Sequence, residues 1–338
     1  MSHGRAASSG VFRTAVAMLV AAGLLWILLA QTDLHAIAES FTRLSPAAAI
    51  AGLLGWAGTN WMRAMRFRAL VHSREVPLPR MFSIVNVQNL LATITPGRAG
   101  ELSYVVLLRQ DGRVPGPEGL AGFVVARALD FVVGFGVALG TLISVRRALP
   151  PGSGRVLATA GALFGLSILV LAQLAWISEK GVGMIETCLR VTRAGRWPIA
   201  RRFAAISADV HAQIVRLRGE GDAARLWLLT AGIWVSSYAV SWIWIAGLGL
   251  PVSLGQAIFV AAVAGLAASL PVQGLAGLGT TEAGWAIPLV IVGVGREQAI
   301  AAGFCFHALA LVYLAILGGT GFLHLSRRRR ARAVPANK

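Results

Sequence analysis

The sequence predicts an all-α polytopic membrane protein. It would have about six spanning helices plus two re-entrant helical hairpins in an inverted-repeat arrangement, with both termini in the cytoplasm. Three observations predict it. Hydrophobic residues make up 56% of the chain and charged residues only 13%, against about 25% charged in a soluble protein, and the apolar residues fall in long runs. Two of those runs are too short to span and are broken by proline and glycine. Lys and Arg cluster at the ends of the runs rather than on a soluble domain.

The apolar segments are 14–30, 46–62, 81–95 with 99–109, 119–145, 156–176, 226–247, 256–270 with 285–295, and 298–323. A full span needs about 20 residues at a rise of about 1.5 Å each. Segment 14–30 follows Arg5 and Arg13, as a signal peptide would, but its 17-residue core is long for one and it is read as a retained first helix. The arms 81–95 and 99–109, of 15 and 11 residues, fall short of a span, and so do 256–270 and 285–295. Each pair is read as a hairpin that enters and leaves on one side. Six spans remain.

Placing the N-terminus in the cytoplasm puts 24 of the 31 Lys and Arg inside, including the five from Arg63 to Arg80, and five outside. Arg98 and Arg127 fall within the membrane. This is the positive-inside pattern. The chain is then a single integral membrane domain, 1–325, with a basic cytoplasmic tail, 326–338. Half one covers about 10–147 and half two about 155–325, with a cytoplasmic amphipathic linker at 177–225. In that linker Ile199, Phe203, Ile206, Val210, Ile214 and Leu217 form one apolar stripe, as in a basic amphipathic helix lying on an anionic leaflet. The two hairpins would enter from opposite sides, which gives the halves opposite orientation. In transporters built this way the substrate site lies near the midplane between the repeats.

The net charge of +17 does not mark a nucleic-acid protein, because no basic soluble domain carries it. Cys188 and Cys305 are far apart, and the six histidines have no metal-site spacing, so neither a disulfide framework, a metal nor a cofactor is indicated. No nucleophile with a partner base stands out, and catalysis is not expected.

Charged groups inside apolar sequence are the candidate site, since a buried arginine or carboxylate costs a few kcal/mol or more in hydrocarbon. The first tip reads Pro96-Gly97-Arg98-Ala99-Gly100-Glu101, preceded by Asn86 and Asn89; the second reads Gly277-Leu278-Gly279-Thr280-Thr281-Glu282. Arg98 with Glu101, and Arg127 with Asp130, are three apart and are expected to form local ion pairs. Such pairs either neutralise one another and lock the hairpin to the third span, or present arginine to a phosphate. The tip glycines serve either backbone anion binding or close helix packing. Glu282 reads as a lone acid that carries a proton or meets a cationic headgroup, His307 as a residue satisfied by a backbone or hydroxyl partner. The Trp residues at 227, 234, 242 and 244 read as an interfacial belt with packing, and Arg327 to Arg330 as a topological anchor.

At Asn86, Asn89, Pro96, Arg98, Gly100, Glu101, Arg127, Asp130, Gly277, Gly279 and Glu282 the chain resembles the lysylphosphatidylglycerol synthase transmembrane region, or flippase-like, family. The resemblance covers roughly residues 10–325. It implies translocation of a polar-headgroup phospholipid between leaflets of a bacterial inner membrane, with those residues around the headgroup. An anionic phospholipid or lipid-linked headgroup is the implied partner; a separate lipid-modifying enzyme and a second copy of the chain are further candidates. Bifunctional members carry a soluble acyltransferase-type domain that this sequence lacks, so synthase activity is not implied. The rival expectation is a non-catalytic accessory subunit of a lipid- or glycan-modifying system.

Overall fold

The computed structural model describes residues 23, 26–28, 34–71, 76–95, 100–112, 114–145, 222–269 and 274–333. The first span at 14–30 lies almost wholly outside the described residues, and the fourth span at 156–176, the linker helix and the tip residues Pro96, Gly97, Arg98 and Ala99 lie fully outside them. Among the described residues every regular element is helical. Helix α1 runs Leu34–Arg43, α2 Pro46–Leu70, α3 Leu78–Ile94, α4 Ser103–Gly112 and α5 Gly116–Val145. In the second half α6 runs Asp222–Gly247, α7 Leu254–Ser269, α8 Thr280–Ile291 and α9 Arg296–Ala333.

Three stretches among the described residues are long and apolar enough to cross a membrane: Gly116–Thr141, Ala223–Gly247 and Arg296–Arg330. Helix α2 has 25 residues but ends on Arg63, Arg66 and Arg68, which the sequence alone places in a loop. It starts where Ser45 accepts a hydrogen bond from the Ala48 N–H at 3.1 Å and Pro46 occupies the first turn, both strong start signals. Helices α3 and α4, with 17 and 10 residues, and α7 and α8, with 16 and 12, are the two short apolar pairs.

Each pair is joined at a turn built on glycine. A Cβ at Gly100 would collide with the Leu91 carbonyl, so the chain turns back directly over the end of α3. Thr95 Oγ1 secures this turn, accepting from the Gly100 N–H at 2.7 Å while donating to the Leu91 carbonyl at 2.7 Å. In the second half Gly277 and Gly279 have φ of 74° and 77°, values that glycine adopts readily, and Ala276 beside them is also left-handed at φ 55°. Helix α8 therefore starts at Thr280, five residues before the apolar arm expected from 285, and Glu282 lies in its first turn rather than on the tip.

Each half has its own apolar core. Phe67, Met81, Ile84, Tyr104, Leu108 and Leu129 meet in the first. Trp244, Ile245, Phe259, Leu289, Phe306 and Tyr313 meet in the second. Between the halves, α2 packs along α6, α3 against α9, and α5 against α7. Exchanging α2 with α6, α3 with α7, α4 with α8 and α5 with α9 maps the contacts of α3 with α9 onto those of α7 with α5. The same exchange maps α4 with α5 onto α8 with α9, and α2 with α3 onto α6 with α7.

Small residues allow these close approaches, as expected where lipid supplies no hydrophobic drive between helices. A Cβ on Gly134 would come within 2.7 Å of the Trp234 ring, and one on Gly55 within 2.7 Å of Val240. On α9, Cβ atoms on Gly318 and Gly321 would meet Leu90 at 2.7 Å and the Ser83 carbonyl at 2.9 Å.

Candidate functional site

The interface between the halves is not filled. A cavity of about 300 Å³ lies between them, at the small end of the range of roughly 300–1,000 Å³ found for ligand pockets. One wall is polar: Asn60 and Arg63 on α2, Asn89 and Thr93 on α3, and Arg127 and Asp130 on α5. The facing wall is aromatic and hydroxylic, with Trp234, Tyr238 and Trp244 on α6, Thr281 and Trp285 on α8, and His307 on α9.

The charged pairs are not the local ones expected from spacing. Asp130 is gripped by Arg66 of α2, with Nη1 to Oδ1 at 2.6 Å and Nη2 to Oδ2 at 2.9 Å. Such a bidentate fork forms stronger hydrogen bonds than neutral pairs do. Arg66 is 1% exposed, and Nη1 also donates to Thr230 Oγ1 on α6 at 3.2 Å, so three helices meet on one guanidinium. Arg127 turns the other way. Its Nη2 donates to Glu101 Oε1 at 2.7 Å, and its Cζ sits 5.3 Å from the Phe123 ring centre. Helix rotation explains the difference: α5 presents Asp130 to α2 and Arg127 to the hairpin turn. Arg98, the partner expected for Glu101, lies outside the described residues.

Charge balance at this wall favours anions. Arg63, Arg66 and Arg127 all act electrostatically on Asp130, and Glu101 is the other carboxylate in the cluster. Among the described residues, three guanidiniums against two carboxylates leave one positive charge in a site walled by apolar helices, where fields are screened far less than in water.

The amides form a ladder between α2 and α3. Asn60 Nδ2 donates to Asn86 Oδ1 at 2.7 Å, Asn89 Nδ2 donates to Asn60 Oδ1 at 3.1 Å, and Asn86 Nδ2 donates to the Phe82 carbonyl at 2.9 Å. Asn89 thus reaches the cavity, while Asn86 sits behind it as a buried support.

Glu282 is not a lone acid. His307 Nδ1 lies 2.9 Å from Glu282 Oε1, and His307 Nε2 lies 2.9 Å from the Ala276 carbonyl. The structure corrects the sequence reading here, because a backbone partner satisfies only one of the two ring nitrogens. Gly303, one turn before His307, makes the approach possible: a Cβ there would come within 2.8 Å of the Glu282 carbonyl. Gly277 and Gly279 shape the turn behind this pair and do not line the cavity, and the Gly277 N–H is spent on the Gly274 carbonyl at 3.1 Å. The Gly100 N–H is likewise spent on Thr95.

Two further observations concern residues discussed at the membrane surface. Of the Trp residues read as belt with packing, Trp244 is the packed part: it is 2% exposed and stacks between Trp56 and Phe306, at centroid distances of 5.8 and 5.6 Å, while Trp227 is exposed. Arg329 is more than a topological anchor, since its Nε and Nη2 grip Asp111 Oδ1 and Oδ2 at 3.0 and 2.5 Å.

Arg63, Arg66, Asn60 and Thr230 are among the site residues that the sequence reading missed. Arg66 was hidden because it stands among Arg63, Arg68, Arg74 and Arg80, which together look like an orientation signal. A visible signal was that Arg63 and Arg66 follow the polar pair Thr59 and Asn60 with no helix breaker between them.

No curated protein matches the chain. A sequence profile of the lysylphosphatidylglycerol synthase TM region matches residues 14–318. That match and the apolar helices make this a multi-pass membrane protein, and the chain belongs to the lysylphosphatidylglycerol synthase TM region family.

Proposed function

We propose that the protein moves a phospholipid with a polar headgroup between the leaflets of a bacterial inner membrane. The headgroup occupies the cavity between the halves while the acyl chains remain in lipid. One observation carries the reading: the cavity is shared by both halves, with an excess of guanidinium over carboxylate on one wall and an aromatic wall opposite. Arg63 and Arg127 meet the phosphate, because the planar fork of arginine suits phosphate oxygens. Asp130 and Glu101 hold the guanidiniums in place rather than touching lipid. The aromatic wall covers the apolar or cationic face of the group beyond the phosphate.

The exchange symmetry of the helix contacts supports an inverted repeat with α3–α4 and α7–α8 as its two re-entrant hairpins. Rocking one half against the other would then open the shared cavity first to one leaflet and then to the other. Neither an acyltransferase role nor a cofactor is part of this reading.

The test is purified protein in phosphatidylcholine vesicles containing a trace of fluorescent phosphatidylglycerol, with a quencher added outside. Wild type is expected to bring inner-leaflet label outward faster than empty vesicles, and Arg127→Gln to lose most of the gain. Wild-type rates equal to those of empty vesicles for both anionic and zwitterionic labelled lipids would favour an accessory subunit without transport activity.

A further inference from the structure

The pair formed by Glu282 and His307 has a protonation state constrained by its surroundings. The Ala276 carbonyl can only accept, so the His307 Nε2 facing it at 2.9 Å carries a hydrogen. The other contact, Nδ1 to Oε1 at 2.9 Å, needs one proton between its atoms. Without it, a nitrogen lone pair would face a carboxylate oxygen in a site where Glu282 is 1% and His307 4% exposed. The proton sits either on Nδ1, giving imidazolium and carboxylate, or on Oε1, giving neutral imidazole and carboxylic acid. Both arrangements have zero net charge. Removing the proton leaves a bare carboxylate whose Oε2 is buried with no hydrogen-bond partner among the described residues, a costly state at this depth.

This pair also has access to the cavity. His307 lines the cavity and Glu282 lies behind it, so the imidazole separates the carboxyl group from the open space. Among the described residues no neighbouring carboxylate substitutes for Glu282. Helix α7 carries no titratable group, and α3 carries only Arg80. His35, Glu39 and Arg43 are on α1, and Arg63, Arg66 and Arg68 on α2. On α9 itself are Arg296, Glu297, Cys305, Tyr313 and His324, with further arginines at its C-terminal end; on α6 are Asp222, Arg225 and Tyr238. Of the groups beyond the pair itself, Arg63, Arg127, Asp130 and Tyr238 share the cavity with His307.

We propose that Glu282 and His307 form a proton-binding site on the cavity wall, and that its proton exchanges with the cavity and couples lipid movement to the proton gradient. This rests on the lipid-moving reading above and adds the coupling ion. In the step itself, the proton on the line between Nδ1 and Oε1 passes to cavity water. The pair goes from neutral to one negative charge, and Nε2 keeps its hydrogen on Ala276. The contact between α8 and α9, where Gly303 holds the two helices together, then loses its hydrogen bond and relaxes. Reprotonation restores it. Lipid movement and proton occupancy thus act on the same helix pair.

The test has two arms, both on the full chain. In detergent, nitrogen NMR of isotopically labelled histidine and infrared spectroscopy of the carboxyl region compare wild type with Glu282→Gln, an isosteric change, across neutral pH. Wild type is expected to show either a charged His307 or a protonated carboxyl group, the one proton the contact requires. The variant is expected to lose it. A neutral His307 beside an ionised Glu282 would overturn the site. In vesicles with fluorescent phosphatidylglycerol and an imposed pH gradient, the wild-type rate is expected to change several-fold with the gradient's direction, and the ratio to fall to about one in Glu282→Gln and His307→Asn. Equal ratios in wild type and both variants would overturn the coupling. No wild-type lipid movement at all would sink the lipid activity and the coupling together, and the spectroscopic arm would still decide the proton site.

Discussion

Asp130 on α5 is held by Arg66 on α2, 64 residues earlier in the chain, through two hydrogen bonds of 2.6 and 2.9 Å, although Arg127 stands one helical turn away on the same helix. The pairing ties the two long helices of the first half together, and Thr230 on the same guanidinium adds the second half. Arg127 is thereby left for the hairpin turn and the cavity.

Removing one partner of this pair leaves an uncompensated buried charge, at a cost of about 3–5 kcal/mol. Asp130→Leu and Arg66→Leu are each expected to lower the unfolding temperature in detergent markedly. The double variant Arg66→Leu with Asp130→Leu is expected to lose less than the sum of the two singles. Strict additivity in thermal unfolding would mean that the two side chains do not act as a pair.

At the end of α9 the burial of the two partners is unequal: the side chain of Arg329 is 47% exposed and that of Asp111 is 5% exposed. Arg329→Ala strands a buried carboxylate and is expected to cost about 1–3 kcal/mol. Asp111→Asn leaves an arginine that can turn to water, and its expected cost is below about 1 kcal/mol. Changing Arg327, Arg328 or Arg330 to Ala is expected to stay within about 0.5 kcal/mol. Chemical denaturation of the five proteins would rank them, and the reverse order for positions 329 and 111 would contradict the burial argument.

Gly303→Ala places a methyl group against the Glu282 backbone, and such overpacking costs about 1–3 kcal/mol. It is also expected to lengthen the contact between Glu282 and His307, visible as a changed His307 NMR signal. Gly140→Ala, where a Cβ would meet open space, is expected to leave both stability and that signal unchanged.

Arg127→Gln removes a charge-assisted hydrogen bond worth about 1.5–3 kcal/mol at the cavity wall. If that guanidinium meets the headgroup phosphate, the rate of phosphatidylglycerol movement is expected to fall by about ten- to a hundredfold, at about 1.4 kcal/mol per factor of ten. Phe322→Ala, on an exposed position of α9, is expected to leave the rate within twofold of wild type. The vesicle assay reads both.

Much of the site was legible residue by residue. Asn89, Arg127 and Asp130 line the cavity, and Asn86 and Glu101 touch those that do. The glycines were legible as positions needing a small residue, while the choice between anion binding and packing was not. At Gly100 and Gly277 the backbone N–H groups are taken by Thr95 and Gly274, which only the folded turns reveal. Arg66 and His307 were underrated because one looked like a loop charge and the other like an isolated core histidine.

By itself the sequence determined the class, the apolar segments and the two short broken pairs, together with most of the polar residues worth placing in apolar surroundings. These are local properties, set by composition, by helix rise against bilayer thickness, and by proline and glycine chemistry. The tertiary structure alone decided which charges pair and which side chains reach the cavity. Spacing of three or four residues brings two groups to one helix face, but the rotation of that helix against its neighbours selects their partners. Asp130 therefore meets Arg66 and Glu282 meets His307, across distances in sequence that no local rule connects.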